Sequence, residues 1–158
     1  MVPPDAFREP GNWQWRAGPV PPGPAVVFDM DGVLSDASRR QHYLEHPFHD
    51  WESFFAACGD DELIDEVARL LDVLDSDLRV VLLTARPARV RPQTLGWLDR
   101  YQLRWDLLVM RDWESFFEAC GEDELIAEVA RLLDVISDEH RIVLLTARPM
   151  RVLSLIHI

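Results

Sequence analysis

Three short, uninterrupted apolar runs constrain this chain more than any other feature. Ala25-Val26-Val27-Phe28, Val80-Val81-Leu82-Leu83 and Leu107-Leu108-Val109-Met110 are rich in β-branched side chains and too short to be buried helices. A strand apolar on both faces belongs inside a parallel sheet covered by helices. The first run is expected to end at Asp29, the second to span Arg79 to Thr84, and the third to start at Asp106. Between the runs the spacing turns helical. Asp50 to Phe55 opens a short helix that Gly59 ends, and Asp60 or Asp61 is placed to cap a longer one. In it Leu63, Ile64, Val67, Leu70, Leu71 and Leu74 are expected to form one buried stripe. Pro92 can begin a third helix running to about Tyr101. Strand alternating with helix predicts an α/β fold with a doubly wound parallel sheet.

The chain divides unevenly along its 158 residues. Residues 1–24 hold seven prolines without apolar periodicity and read as an extended or disordered lead-in. Residues 25–111 carry the three strands. Asp112 to Val152 then repeats Asp50 to Val90 at a constant offset, with about three positions in four identical. Trp113 matches Trp51, Cys120 matches Cys58, and Thr146-Ala147-Arg148-Pro149 matches Thr84-Ala85-Arg86-Pro87. Two copies separated by a different helix and strand do not make a solenoid, so the repeat reads as a duplication or a splice. Its helix and strand have the right order for a crossover. Arg141 to Leu145 is therefore expected either beside the first strand, bringing Thr146 and Arg148 near Asp29, or beyond the third. Residues 153–158, Leu-Ser-Leu-Ile-His-Ile, match what a sequencing adapter encodes in one frame and are read as a tail outside the fold.

Charge narrows the function classes. Sixteen Lys plus Arg against twenty-eight Asp plus Glu give a net charge of −12, which repels polyanions and excludes an extended nucleic-acid groove. Contact with a single nucleic-acid end remains open. No apolar run reaches the roughly 20 residues of a membrane span, and the amino terminus lacks the basic and apolar regions of a signal peptide, so a cytoplasmic address is expected. Cys58 and Cys120 occupy matching contexts and read as reduced, buried thiols.

Chemistry concentrates where strands stop. Asp29-Met30-Asp31-Gly32-Val33 follows the first run, and a turn there can aim one carboxylate into a cleft as nucleophile with the other beside it as acid or base. Gly32 lets the backbone turn. A carboxylate attacking phosphorus needs a hard cation, and Mg²⁺ on Asp29 and Asp31 suits that need. Thr84-Ala85-Arg86 follows the second run and emerges at the same carboxyl edge, where open α/β sheets bind ligands. A Thr hydroxyl can donate to a phosphoryl oxygen, and Arg can clamp phosphate with two donors.

FDMDGV after one strand and LLTAR after a later one resemble the first and second motifs of the haloacid-dehalogenase-like phosphohydrolase superfamily. The spacing from Asp29 through Arg40 to Thr84-Ala85-Arg86, with TLGWLDRYQLRWDLLVMR beyond, resembles the 3′-phosphatase domain of polynucleotide kinase-phosphatases over about Ala25 to Arg111. The resemblance implies an aspartyl-phosphate mechanism with Mg²⁺, Asp29 as nucleophile and Asp31 as general acid and base. It also implies Thr84 as phosphate ligand, with Arg40 (or Arg39 beside it), Arg86 and Gly32 on the substrate phosphate. A basic helix residue and a fourth strand ending in acids, both expected of that family, are not recognisable after Met110, so weak metal binding and slow turnover are expected. The alternatives are an inactive phosphate- or nucleotide-binding fragment and a small-molecule phosphatase on the same fold.

Other signals read as structure. His42, His46 and His49 lack a fourth metal ligand, and Pro47 interrupts them. Trp51, Trp97, Trp105 and Trp113 can stack bases but more often fill cores. The acidic run of Asp60, Asp61, Glu62, Asp65 and Glu66 reads as solvated helix surface.

Overall fold

The computed structural model describes residues 10–45, 47, 49–111 and the strand at 142–145. In chain order the elements are strands β1 (Trp13–Trp15), β2 (Ala25–Asp29) and β3 (Ser35–Asp36), a 3-10 helix (Ala37–Leu44), helix α1 (Trp51–Ala56), a 3-10 turn (Ala57–Asp60) and strand β4 (Glu62–Leu63). Helix α2 (Asp65–Val73), strand β5 (Arg79–Pro87), a 3-10 turn (Ala88–Val90), helix α3 (Arg91–Arg100), and strands β6 (Leu107–Arg111) and β7 (Ile142–Leu145) follow.

Five strands make the main sheet in the order β1-β6-β5-β2-β7. β2, β5, β6 and β7 run parallel, and β1 closes one edge antiparallel to β6. The three apolar runs of the sequence are β2, β5 and β6, buried on both faces as expected. One face packs Val26, Phe28, Val80, Leu82 and Leu108 against Phe54, Phe55, Leu71 and Trp97, and the other gathers Val27, Val81, Leu107, Val109 and Trp13. β7 pairs with β2 from Ala25↔Ile142 to Phe28↔Leu145, so the strand of the second copy takes the position beside β2 rather than beyond β6. Thr146, Arg148 and Cys120 lie outside the described residues.

Two expectations are corrected. Residues 10–24 are not a loose lead-in, because Trp13 pairs with Val109 and is buried, and the Asn12 side chain donates to the Met110 carbonyl at 2.8 Å. Three alternating residues, Trp-Gln-Trp, suffice for an edge strand once a sheet exists to receive them. The stripe on α2 is also narrower than six positions. Leu63, Val67, Leu71 and Leu74 of the expected positions reach the core, with Ala68 beside them, whereas Leu70 is 40% exposed and Ile64 is not part of the core cluster. Neither Asp60 nor Asp61 caps this helix, since Ile64 stands at its N-cap position.

Candidate active site at the carboxyl edge of the sheet

The site begins where β2 runs out. After Asp29 the main chain folds back: the amides of Val33, Leu34 and Ser35 donate to the Met30 carbonyl, and the Gly32 amide donates to the Ser35 carbonyl at 2.8 Å. Gly32 sits at φ +84°, a conformation that side chains disfavour, so glycine is needed for this turn. The turn returns Ser35 beside Asp31, with its Oγ 3.1 Å from Asp31 Oδ1 and 2.8 Å from Asp61 Oδ2.

Two guanidiniums converge on those carboxylates. Arg40, carried inward on the 3-10 helix that Asp36 caps, places Nη2 2.5 Å from Asp31 Oδ1 and Nε 2.8 Å from Asp61 Oδ1. Its Nη1 donates to the Phe54 carbonyl, and its plane lies 4.2 Å from the centre of the Phe54 ring. Arg86, near the end of β5, places Nη2 2.7 Å from Asp31 Oδ1, 2.7 Å from Ser35 Oγ and 3.0 Å from Asp61 Oδ2. Asp61 is held from behind, because its carbonyl accepts from Trp97 Nε1 at 2.8 Å and from the Tyr101 hydroxyl. Two positive and two negative groups thus balance in a space where an unpaired charge would cost several kcal/mol, roughly 3–5 by analogy with other buried pairs.

This pairing sets protonation. Burial alone pushes the Asp31 pKa up, but Arg86, then Arg40, and the Ser35 hydroxyl outweigh it and hold the carboxyl below the usual carboxylate range. Burial likewise works against the charge on Arg86, and the neighbouring carboxylate of Asp31 more than offsets it. An ionised Asp31 suits taking a proton from water. Giving one requires first protonating a carboxylate that two guanidiniums favour as the anion.

The structure brings Asp29, Asp31, Thr84, Arg40 and Arg86 to one sheet edge. Asp29 is half-buried at the end of β2 and pairs with Leu83, one residue before Thr84. Thr84 is buried, and its Oγ1 accepts from the Arg86 amide at 3.1 Å, which leaves the hydroxyl proton available to donate. Arg40 and Arg86, expected on substrate phosphate, have side chains 2% and 0% exposed, and both donate to Asp31 and Asp61. Gly32 serves the turn. Arg39 is exposed and pairs with Glu62. Asp61, expected on a solvated face, is the residue the sequence reading missed. The available signal was stoichiometric, since two inward arginines needed a second carboxylate.

For the Mg²⁺ that the resemblance implies, Asp29 and Asp31 offer hard oxygen donors. Among the described residues no group of three or more His, Cys, Asp or Glu side chains gathers around a common point. Oδ1 of Asp31 already faces both guanidiniums. The donor set fits a loosely held ion that takes most of its ligands from phosphate and water.

No family model and no curated protein matches the sequence. Solved structures do. A chain of the Pnkp1/Rnl/Hen1 RNA repair complex superposes with a TM-score of 0.61 at 26% identity, over 94% of this chain and 43% of that one. A further structure of the Pnkp1/Rnl/Hen1 complex gives 0.58 at 26% identity, over 77% and 37%. The class C acid phosphatase from Bacillus anthracis with tungstate bound gives 0.58 at 18% identity, over 80% and 52%, a likeness of fold alone. This chain spans about half or less of the length of each. Its sheet, its strand-end Asp29 and Thr84 and these likenesses together make it similar to haloacid-dehalogenase-like phosphatases related to the polynucleotide kinase-phosphatases.

Proposed function

We propose that the chain is a phosphomonoester hydrolase that works through an aspartyl-phosphate on polynucleotide 3′-phosphate ends, with slow turnover. The observation that supports it most is the register of β2 and β5, which sets Asp29 beside Thr84 at the carboxyl edge with Asp31 fixed two residues on.

In the first step an Asp29 carboxylate oxygen attacks phosphorus in line, the bond to the leaving oxygen breaks, and Asp31 gives that oxygen its proton. In the second, Asp31 takes a proton from water, whose oxygen attacks phosphorus. The bond to Asp29 then breaks and phosphate leaves. Thr84 donates to a phosphoryl oxygen throughout, while Arg40, Arg86 and Asp61 position Asp31 rather than touch substrate. A bound Mg²⁺, held by Asp29 and Asp31, would offset the repulsion between carboxylate and phosphate.

Because Asp31 rests as the anion, the first step is the harder one for an alkyl ester. An aryl phosphate, whose leaving group needs no proton, should turn over faster than the oligonucleotide. Asp31→Asn should then slow the oligonucleotide more than the aryl ester. The deciding experiment follows an end-labelled oligonucleotide from 3′-phosphate to 3′-hydroxyl with Mg²⁺ present. Conversion that is abolished in Asp29→Asn supports the reading, and equal conversion by both proteins overturns it. Preference for a free nucleotide over the oligomer points to a small-molecule phosphatase, and 3′-phosphate binding without turnover points to a binding fragment. Salt dependence should reflect only a few phosphates, since the chain carries a net charge of −12.

A further inference from the structure

Of the four tryptophans able to stack bases, Trp97 and Trp105 are buried and Trp113 lies outside the described residues, but Trp51 is 49% exposed. It is the first residue of α1, fixed in place because the Asp50 side chain accepts from the Ser53 amide at 2.9 Å. Its ring stacks on Phe55 at 5.9 Å with an interplanar angle of 24° and meets Phe54 edge-on at 5.7 Å. Both phenylalanines are buried, so one side of the indole is backed and the other faces outward. Phe54 in turn lies 4.2 Å under Arg40, whose Nη2 is 2.5 Å from Asp31. Glu52, next to Trp51, pairs at 2.8 Å with Arg89, which follows the carboxyl end of β5. This pair ties α1 to the edge that carries Thr84.

We infer that Trp51 is a base-stacking platform at the rim of the site, taking the nucleobase at the 3′ end of a single-stranded oligonucleotide whose phosphate reaches Asp29. A rigid aromatic face backed by two further rings receives any base without reading its identity, and stacking of this kind changes affinity by roughly fivefold or more per base. The inference rests on the proposed function and adds the contact that would distinguish a nucleic-acid end from a small phosphate ester.

The test uses the full chain carrying Asp29→Asn, so that substrate is bound and not consumed, and reads fluorescence anisotropy with labelled oligonucleotides. Adding Trp51→Ala should weaken binding of the 3′-phosphorylated oligonucleotide roughly tenfold, and Trp51→Phe should restore most of it. An oligonucleotide abasic at its 3′ terminal position should bind the parent and Trp51→Ala alike. If the parent prefers the 3′-phosphate to the 3′-hydroxyl but Trp51→Ala binds as the parent does, or Trp51→Phe binds no better than Trp51→Ala, the inference is overturned and the function stands. If the parent binds both ends alike, the proposed function falls and the inference with it.

Discussion

Val80 to Leu83 and Ile142 to Leu145 are near-copies in sequence, and both lie parallel to β2, on its two opposite sides. Their surroundings differ. β5 lies between β2 and β6, and Thr84 and Arg86, in its last four residues, join the network around Asp31. Among the described residues β7 pairs with β2 alone. The difference teaches that an apolar strand specifies pairing but not a role. The role comes from partners outside the repeat, and Asp31, Ser35 and Arg40 occur once in the chain. A second Thr-Ala-Arg therefore has no second first-motif carboxylate to hold.

The largest effect that could break this comparison is on stability. Arg86→Leu leaves Asp31 and Asp61 sharing Arg40 alone in a buried space, and is expected to cost about 3–5 kcal/mol in urea denaturation. The matching change in the second copy, Arg148→Leu, should cost less than about 1 kcal/mol, because Arg86 already holds the one Asp31. Equal losses would mean that the copies share the load and that the asymmetry is wrong.

A smaller effect sharpens the same asymmetry through pH. The folded-state pKa of Asp31 lies below its unfolded value, so the stability it supplies is complete above the usual carboxylate range and is lost as pH falls through the lowered value. One such group can steepen the acid limb by at most about 1.4 kcal/mol per pH unit. Asp31→Asn should flatten the limb measured by denaturation between neutral and acid pH. An unchanged limb would show that the guanidiniums do not hold Asp31 ionised.

The sheet was legible because burial on both faces writes itself as unbroken apolar runs, and β2, β5 and β6 follow those runs to within a few residues. Asp29 and Thr84 were legible for a related reason, as polar residues set where such a run stops. Asp61 was hidden in Gly-Asp-Asp-Glu-Leu, where a buried ion-pair partner looks the same as a helix-face acid until the long-range contact to Arg40 and Arg86 is known. β1 was hidden because three residues are too few for a period to declare itself among prolines. The two arginines were found, but not their direction. A guanidinium that clamps phosphate and one that clamps carboxylate are the same residue, and only the nearest anion decides.

The smallest expected effect concerns whether the second copy belongs to the sheet as a strand at all. In a parallel ladder successive residues point their amides to opposite sides, so of Val143 and Leu144 one amide faces β2 and the other faces away. Proline removes that amide and imposes the same φ at either position. Val143→Pro and Leu144→Pro should therefore differ in stability by about 1 kcal/mol, the worth of one ladder hydrogen bond. The residue facing β2 should be the costlier. Helical or irregular chain at this position would not alternate in that way. Equal costs would remove β7 from the flank of β2 and leave Asp29 on an edge strand. A clear difference would mean that the second copy supports the strand that carries Asp29 from its far side.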